Sequence, residues 1–229
     1  VLVNCAGIVH SGTILDATTL IRDSGIPIIG VNTGRLGFLA DIAKEQIPKT
    51  IKQLINKRFS IDQRTLIKLE TEQPLFDGLN FALNEVTISR KDTTSMITIT
   101  TYINDQYLNS YWADGLIIAT PTGSTGYSLS CGGPIVMPGS ENFIITPIAP
   151  HNLNVRPLVI SDKYEIKVKV EGRAKQFLVA LDSRIQTMDA GLELTIKKES
   201  FKINMIETET QDFSSTLRNK LLWGLDKRN

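Results

Sequence analysis

Apolar and polar positions change their period twice along the chain. Residues 1–8 form a short apolar run, and residues 26–31, entered through Pro27, form a second. Runs of this kind suit strands buried on both faces. Between them Ile14, Ala17, Thr18 and Ile21 fall on one face at helical spacing, which predicts a helix over residues 13–24 with Gly25 as its stop. Strand, helix and strand in that order imply a βαβ unit with parallel pairing. A glycine-punctuated loop, NTGRLGFLAD, follows, and a helix over residues 44–57 closes the region.

From about residue 60 to residue 207 the period becomes two. Tyr164, Ile166, Val168 and Val170 alternate with Glu165, Lys167, Lys169 and Glu171. Leu192, Leu194 and Ile196 alternate with polar residues, as do Phe201, Ile203 and Met205. One apolar face and one wet face mean antiparallel sheet. Turns are expected at Asn104-Asp105, at Glu171-Gly172 and over residues 189–191. The tail, residues 213–225, returns to helical spacing, with Ser214 or Ser215 as cap and Leu217, Leu221 and Leu222 as its apolar stripe. The expected organisation is a partial α/β domain over residues 1–58, a β-rich domain over 59–207, and a helix over 208–229 returning to the first domain.

Composition narrows the function classes. The 229 residues are 41% hydrophobic and 21% charged, as in ordinary globular proteins. A formal net charge of +1 supplies no basic field for nucleic acid. No apolar run approaches the ~20 residues that span a bilayer, so neither a nucleic-acid nor a membrane partner is expected. Cys5 and Cys131 lie far apart without metal-type spacing and suit a reducing, cytoplasmic setting. Residues 1–9 lack the positive segment of a signal peptide and read as a strand already inside a domain, so further N-terminal residues are expected. His10 and His151 are the only histidines, too few for a zinc site, and a lone histidine is more often structural. No metal-ligating set and no nucleophile elbow is found.

The segment ADGLIIATPTGSTGYSLSCGGP, residues 113–134, is the most informative for chemistry. A buried strand runs into a loop where Thr122, Ser124, Thr125, Ser128 and Ser130 offer hydroxyls. Gly123, Gly126, Gly132 and Gly133 allow close backbone approach there. Such a loop can present N–H and O–H donors to phosphate or ribose oxygens. It is not a Walker loop, because no Gly-Lys-Ser/Thr follows. A solvated Ser/Thr/Gly turn is the plainer reading of the composition. Asp114 could accept from a ribose hydroxyl or cap a turn. Asn84-Glu85 interrupts the apolar alternation FALNEVTI, so one of the pair points inward and needs a partner, a ligand or more commonly a backbone group.

Taken together, TPTGSTGYSLSCGGP, Asn84-Glu85, GVNTGRLGFLAD, ITPIAPHNLNVRPLVI and the ending FSSTLRNKLLWGLDKRN resemble the NAD kinase family, and the ending its bacterial branch. The resemblance runs from Thr13 onward. It implies an α/β N-terminal domain and a β-rich C-terminal domain with the active site between them. The activity it implies is transfer of the ATP γ-phosphoryl group to the 2′-hydroxyl of the adenosine ribose of NAD. ATP, or polyphosphate in some relatives, is the donor, with a divalent metal, Mg²⁺, carried on the phosphates. Asn84 and Glu85 match the family pair that holds NAD. Thr122, Thr125, Gly126, Tyr127, Ser128, Leu129 and Ser130 match the loop lining the pocket, and Ala149 a position near the adenine. Gly34 to Phe38 match a loop at the cleft mouth. Asp114 matches an aspartate that reaches NAD in a neighbouring subunit, which implies a dimer or tetramer.

One segment departs from the family pattern. The family's Gly-Gly-Asp-Gly-Thr signature corresponds here to Val9, His10, Ser11, Gly12 and Thr13. Ser11 stands at the position of the catalytic aspartate, and only Gly12 and Thr13 match. A positioned carboxylate that accepts the ribose proton contributes roughly 10²–10⁴-fold, and serine has no comparable basicity. Three explanations stay open: an impaired NAD(P)-binding homologue, a misread sequence at this turn, or a neighbouring base such as His10. A lipid kinase of the wider superfamily fits less well, because the loop over residues 120–134 is of the NAD type.

Overall fold

The computed structural model describes residues 2–3, 9–10, 12–32, 38–40, 42–92, 95–208 and 213–221. Chain contacts divide it into two compact units, Val1–Arg64 together with Lys202–Asn229, and Thr65–Phe201.

The first unit opens with β1 (Leu2–Val3) and β2 (Val9–His10), which pair antiparallel. The rest of the apolar run expected over residues 1–8 lies outside the described residues. Helix α1 (Ile14–Ile21) follows and buries Ile14, Ala17 and Thr18, three of the four positions on the predicted face. Thr13 starts it through a capping box: its Oγ1 accepts the Asp16 N–H at 3.1 Å, and the Asp16 carboxylate accepts the Thr13 N–H at 2.8 Å. The helix stops earlier than Gly25. Arg22 takes the cap at φ +48°, its N–H held by the Thr18 carbonyl, and Gly25 at φ +70° belongs to the turn beyond. Thr13→Ala should cost about 1 kcal/mol in denaturant unfolding. A variant as stable as the parent would remove the cap from the account.

Parallel pairing appears where β3 (Val31–Asn32) meets β4 (Ile42–Ala43), and in a bridge from Ile28 to Met205. The second predicted strand is thus shorter than its apolar run. The helix predicted over residues 44–57 begins as one 3-10 turn and becomes α2 (Ile47–Ile55), with proline at its start. Ile29, Val31, Ile42 and Ile206 form a small buried core with Ile47, Leu54 and Phe59 against it.

Strand β5 (Phe59–Glu70) leads into the second unit, which contains β6 (Phe81–Ala82), β7 (Glu85–Arg90), β8 (Ile97–Ile103), β9 (Gln106–Ala113), β10 (Gly115–Ala119), α3 (Tyr127–Ser130), β11 (Asn142–Ile148), β12 (Leu158–Ser161), β13 (Ile166–Gly172), β14 (Gln176–Leu181) and β15 (Arg184–Asp189). Strand β16 (Glu193–Thr208) leads out of it, and α4 (Phe213–Leu221) follows. Both long strands, β5 and β16, supply residues to both units, so contacts cut the chain at 64/65 and 201/202 rather than at the change of period. Besides the two-stranded pairs β1-β2 and β3-β4 there are two six-stranded sheets, ordered β12-β11-β10-β7-β14-β15 and β6-β5-β16-β13-β8-β9. The alternating residues do what their period implies: Ile166, Val168, Leu194 and Ile196 join Val86, Ile88, Leu116, Ile118, Phe143 and Val179 in one buried core.

Asn104 and Asp105 turn with positive φ at both positions, as a type I′ hairpin requires. The turn expected at Glu171-Gly172 falls instead at residues 173–175, because both residues still pair with β8. Tyr164 precedes its strand and is exposed. Ser214 and Ser215 lie within the first turn of α4 rather than before it, and Leu222 is outside the described residues.

Candidate functional site

Strand β10 is the axis of the site. Its five residues are all buried, and they pair with β7 on one side and β11 on the other. Ala119 sits opposite Glu85 and Ile144; Gly115 sits opposite Ser89 and Ile148. Directly paired residues share a face. Glu85 therefore stands on the same face as Ile117 and Ala119, which pack against Ile144, Cys131 and Val136 and not against the main core.

The loop after β10 folds onto that end of the sheet. The Thr120 N–H donates to the Asn84 carbonyl at 2.8 Å, and the Thr120 hydroxyl donates to the Leu83 carbonyl at 2.6 Å. Gly123 lies so close that a Cβ there would stand 2.1 Å from the Asn84 carbonyl oxygen. The Ser124 hydroxyl donates to the Pro121 carbonyl at 2.6 Å and accepts the Val136 N–H at 3.1 Å. Ser128 and Thr146 share a hydroxyl contact of 2.8 Å, and a Cβ on Gly133 would stand 2.2 Å from Ser128 Oγ. Thr125 Oγ1 reaches the Thr122 carbonyl at 3.3 Å. The loop's buried hydroxyls thus fold the loop itself. Gly126, half-buried Thr125 and Leu129, and exposed Tyr127 and Ser130 form its outward side, while Thr122 and Ser128 are buried.

Glu85 is the unusual group. Its side chain is buried, and Oε2 has no hydrogen-bond partner among the described residues. Gly126 passes close by, within 3.3 Å of Oε2 measured from the Cβ it lacks. Burial, and then the Asp182 charge, push the Glu85 carboxyl up to about 7. Burial also raises the Asp182 carboxyl, against the hydrogen bonds it accepts. Tyr127, one turn before Cys131, is raised first by burial and then by Cys131, Asp114 and Glu85. Burial raises the Cys131 thiol, with Glu85 adding to it. An unpartnered buried carboxyl costs stability, so it marks a place where a donor from outside would be welcome.

Asp114 and Ala149 stand together at the other end of β10. The Asp114 carboxylate pairs with Arg90 at 3.0 Å, and its N–H donates to the Ile148 carbonyl at 3.0 Å. Ala149 follows with φ +44° and is exposed. Five residues at about 3.3 Å each separate this end from Glu85, with the Tyr127 phenol responding to both carboxyls. His151 is structural in its contacts: its backbone N–H donates to the Trp112 carbonyl at 2.8 Å, and the two rings pack tilted by 49° with centroids 4.4 Å apart.

The remaining sites belong to the first unit. Thr13 is engaged in the α1 cap beside Gly12. Phe38 carries the Lys220 ammonium 5.1 Å above its ring. Ser11 and Gly34 lie outside the described residues. Among the described residues, no group of three or more His, Cys, Asp or Glu side chains could cage a metal.

Sequence reasoning missed Asp182. Its carboxylate accepts the N–H groups of Leu83, Asn84 and Glu85 at 2.9, 2.8 and 3.2 Å. The only available signal was an Asp-Ser dipeptide between alternating runs, which reads as a turn.

Comparison with known proteins identifies the family. A family model of the ATP-NAD kinase N-terminal domain matches residues 11–59, and one of the ATP-NAD kinase C-terminal domain matches residues 83–208. The NAD kinase of Flavobacterium psychrophilum is 61% identical over 220 residues, covering 95% of this chain and 75% of that protein. The NAD kinase of Bacteroides fragilis is 46% identical over 217 residues, with the same coverage of 95% and 75%. Among solved structures, yeast NADH kinase complexed with NADH superposes with a TM-score of 0.85 at 25% identity, covering 94% of this chain and 66% of that one. An NAD kinase from Archaeoglobus fulgidus in complex with ATP gives 0.71 at 30% identity, covering 85% and 72%. With both domains matched and relatives this similar over most of its length, the chain belongs to the NAD kinase family of phosphotransferases.

Proposed function

We propose that the chain transfers the γ-phosphoryl group of ATP to the 2′-hydroxyl of the adenosine ribose of NAD, giving NADP. The observation that carries the reading is Glu85: a buried carboxyl whose Oε2 has no partner among the described residues, at the foot of a glycine-rich loop. The hydroxyls and amide of a dinucleotide are the donors such a carboxyl lacks. Asn84 stands beside it, and the outward side of the loop, Thr125, Gly126, Tyr127 and Ser130, offers contact to ribose and ring.

Phosphoryl transfer asks the protein mainly for positioning and charge stabilisation. A divalent ion, Mg²⁺, neutralises phosphate charge. It would arrive on the donor phosphates, ATP or polyphosphate, since Mg²⁺ is commonly held by substrate phosphates and water rather than by an all-protein cage. The residue that would accept the ribose proton is at position 11, where this chain has Ser11. An impaired homologue rests on that one residue.

Incubation with NAD and Mg·ATP should yield NADP at an ordinary enzymatic rate, roughly 1–10³ s⁻¹. That rate would reject the impaired reading. Binding of NAD without turnover, together with a large gain in the variant Ser11→Asp, would support it. Absence of both turnover and NAD binding would remove the functional reading.

The chain works as a dimer or tetramer on this reading. Asp114 and Ala149 lie at the far end of β10 from Glu85, which suits their serving a neighbouring copy's substrate. Light scattering that found only monomer would count against it. The cytoplasm, where NAD and ATP are both present, is the proposed location.

A further inference from the structure

The segment Leu83–Glu85 must present two polar side chains without regular strand pairing to hold all of it. Its backbone is held by two residues. Thr120 supplies donors to the Leu83 and Asn84 carbonyls, at 2.6 and 2.8 Å. Asp182 does the rest. Its carboxylate accepts the three successive N–H groups of Leu83, Asn84 and Glu85, and its own N–H donates to the Glu85 carbonyl at 3.1 Å. Every backbone N–H and C=O of the segment thus has a partner from one of these two residues.

The Asp182 side chain can reach them because of its turn. It stands at φ +54° between β14 and β15, a conformation that aspartate tolerates better than most residues. Two positions on, Arg184 donates to the Leu79 and Phe81 carbonyls, which ties the same turn to the chain entering the segment. Three donors on one carboxylate make charge-assisted hydrogen bonds, the stronger kind. A turn needs no such carboxylate for its own sake, since all of these bonds go to a segment about a hundred residues earlier.

We propose that Asp182 is a positioning residue for the NAD substrate, acting through the backbone of Leu83, Asn84 and Glu85. It rests on the reading that Asn84 and Glu85 hold NAD. Asp182 does not touch the substrate. It fixes where the Asn84 and Glu85 side chains begin, and its charge faces the Glu85 carboxyl. Among the described residues, the other titratable groups near Glu85 are Tyr127 on α3 and Cys131 just after it, with Arg184 behind Asp182 and Asp114 beyond Tyr127; Ala119 and the loop over residues 120–126 present none.

The test is steady-state kinetics of the protein and of Asp182→Asn across pH 5.5–9, with both substrates varied. Asparagine keeps the shape but sets an amide N–H against a backbone N–H. Loss of a charge-assisted bond at the segment should raise KM for NAD about tenfold or more. KM for ATP and kcat at saturating NAD should change by less than about threefold, because uniform binding is what is lost. The acid limb of the pH dependence of 1/KM for NAD should also move to lower pH, since Glu85 loses a negative neighbour. A purely structural role predicts parallel losses for both substrates, and that result overturns the proposal. So does an unchanged KM for NAD. If Asp182→Asn does not fold, Asp182→Glu retains the charge but displaces the oxygens by one methylene, and it must show the same selective rise in KM for NAD; parent-like values overturn the proposal. A parent protein that neither binds NAD nor makes NADP would overturn the functional reading and the proposal together. A competent parent with an indifferent variant overturns the proposal alone.

Discussion

Replacing Gly123 with alanine should lower kcat/KM for NAD by about 10²-fold or more, the cost of displacing a binding element by roughly 1 Å. The reason is steric. The new Cβ would stand 2.1 Å from the Asn84 carbonyl oxygen and 2.6 Å from its carbonyl carbon, both backbone atoms that cannot rotate away. Either the loop lifts off or the Leu83–Glu85 segment moves, and each carries residues of the proposed substrate site. The Thr120 hydrogen bonds to that segment would stretch with it. Overpacking of this kind typically also costs about 1–3 kcal/mol of stability. Kinetics and thermal melting of Gly123→Ala measure both. A variant within threefold of its parent in kcat/KM would show that the loop does not need its contact with Asn84.

Glu85→Gln should move stability and function in opposite directions. The Glu85 carboxyl is raised from 4.5 to about 7 in the folded protein by burial and by Asp182. Folded protein therefore holds a proton there that unfolded protein releases between these values. Stability from this group is complete below about 4.5 and is lost as pH rises through about 7, a total of roughly 3 kcal/mol. Glutamine carries no titrating proton. At pH 8 the variant should be more stable than its parent by about 1–3 kcal/mol, and its melting temperature should be flat from pH 5 to pH 8 where the parent's declines. NAD binding should weaken, because glutamine offers one acceptor and one donor where a carboxylate offers two acceptors. Loss of hydrogen bonds to a charged group predicts a KM for NAD raised about 10–100-fold. In the parent, the same logic makes KM for NAD fall between pH 6 and pH 8, as the acceptor form becomes populated. Melting curves of the two proteins that run parallel across pH would remove Glu85 as the group responsible. Stability gained and function lost in one substitution is the behaviour of a group retained for its ligand.

The period of the apolar positions made the β-rich part legible, because one buried face per strand leaves no freedom of register. Ile166, Val168, Leu194 and Ile196 are buried as their alternation requires. The first unit is less legible. Its apolar run over residues 26–31 yields only Val31–Asn32 as a strand with a bridge at Ile28, since a short apolar run fixes burial and not pairing. The loop over residues 120–134 was recognisable, but the work of its parts was not. Hydroxyls that bind a ligand and hydroxyls that bind their own backbone need the same residue types. Here Thr120, Ser124 and Ser128 bond within the protein, and Gly123 and Gly133 make room for neighbouring protein atoms. Glu85 was visible as a polar break in an apolar run. Asp182 was not, because its three bonds span 97 to 99 residues and leave no local pattern.

The short strand β10 also sets a rule for how the gene can change. Asp114 and Thr120 flank five buried residues that pair on both sides. One residue gained or lost between them would turn Ile117 and Ala119 into the opposite face and shift one flank along the sheet. Length variation among descendants of this sequence should therefore collect in exposed stretches such as residues 137–141, while the count from Asp114 to Thr120 stays fixed even where the letters drift.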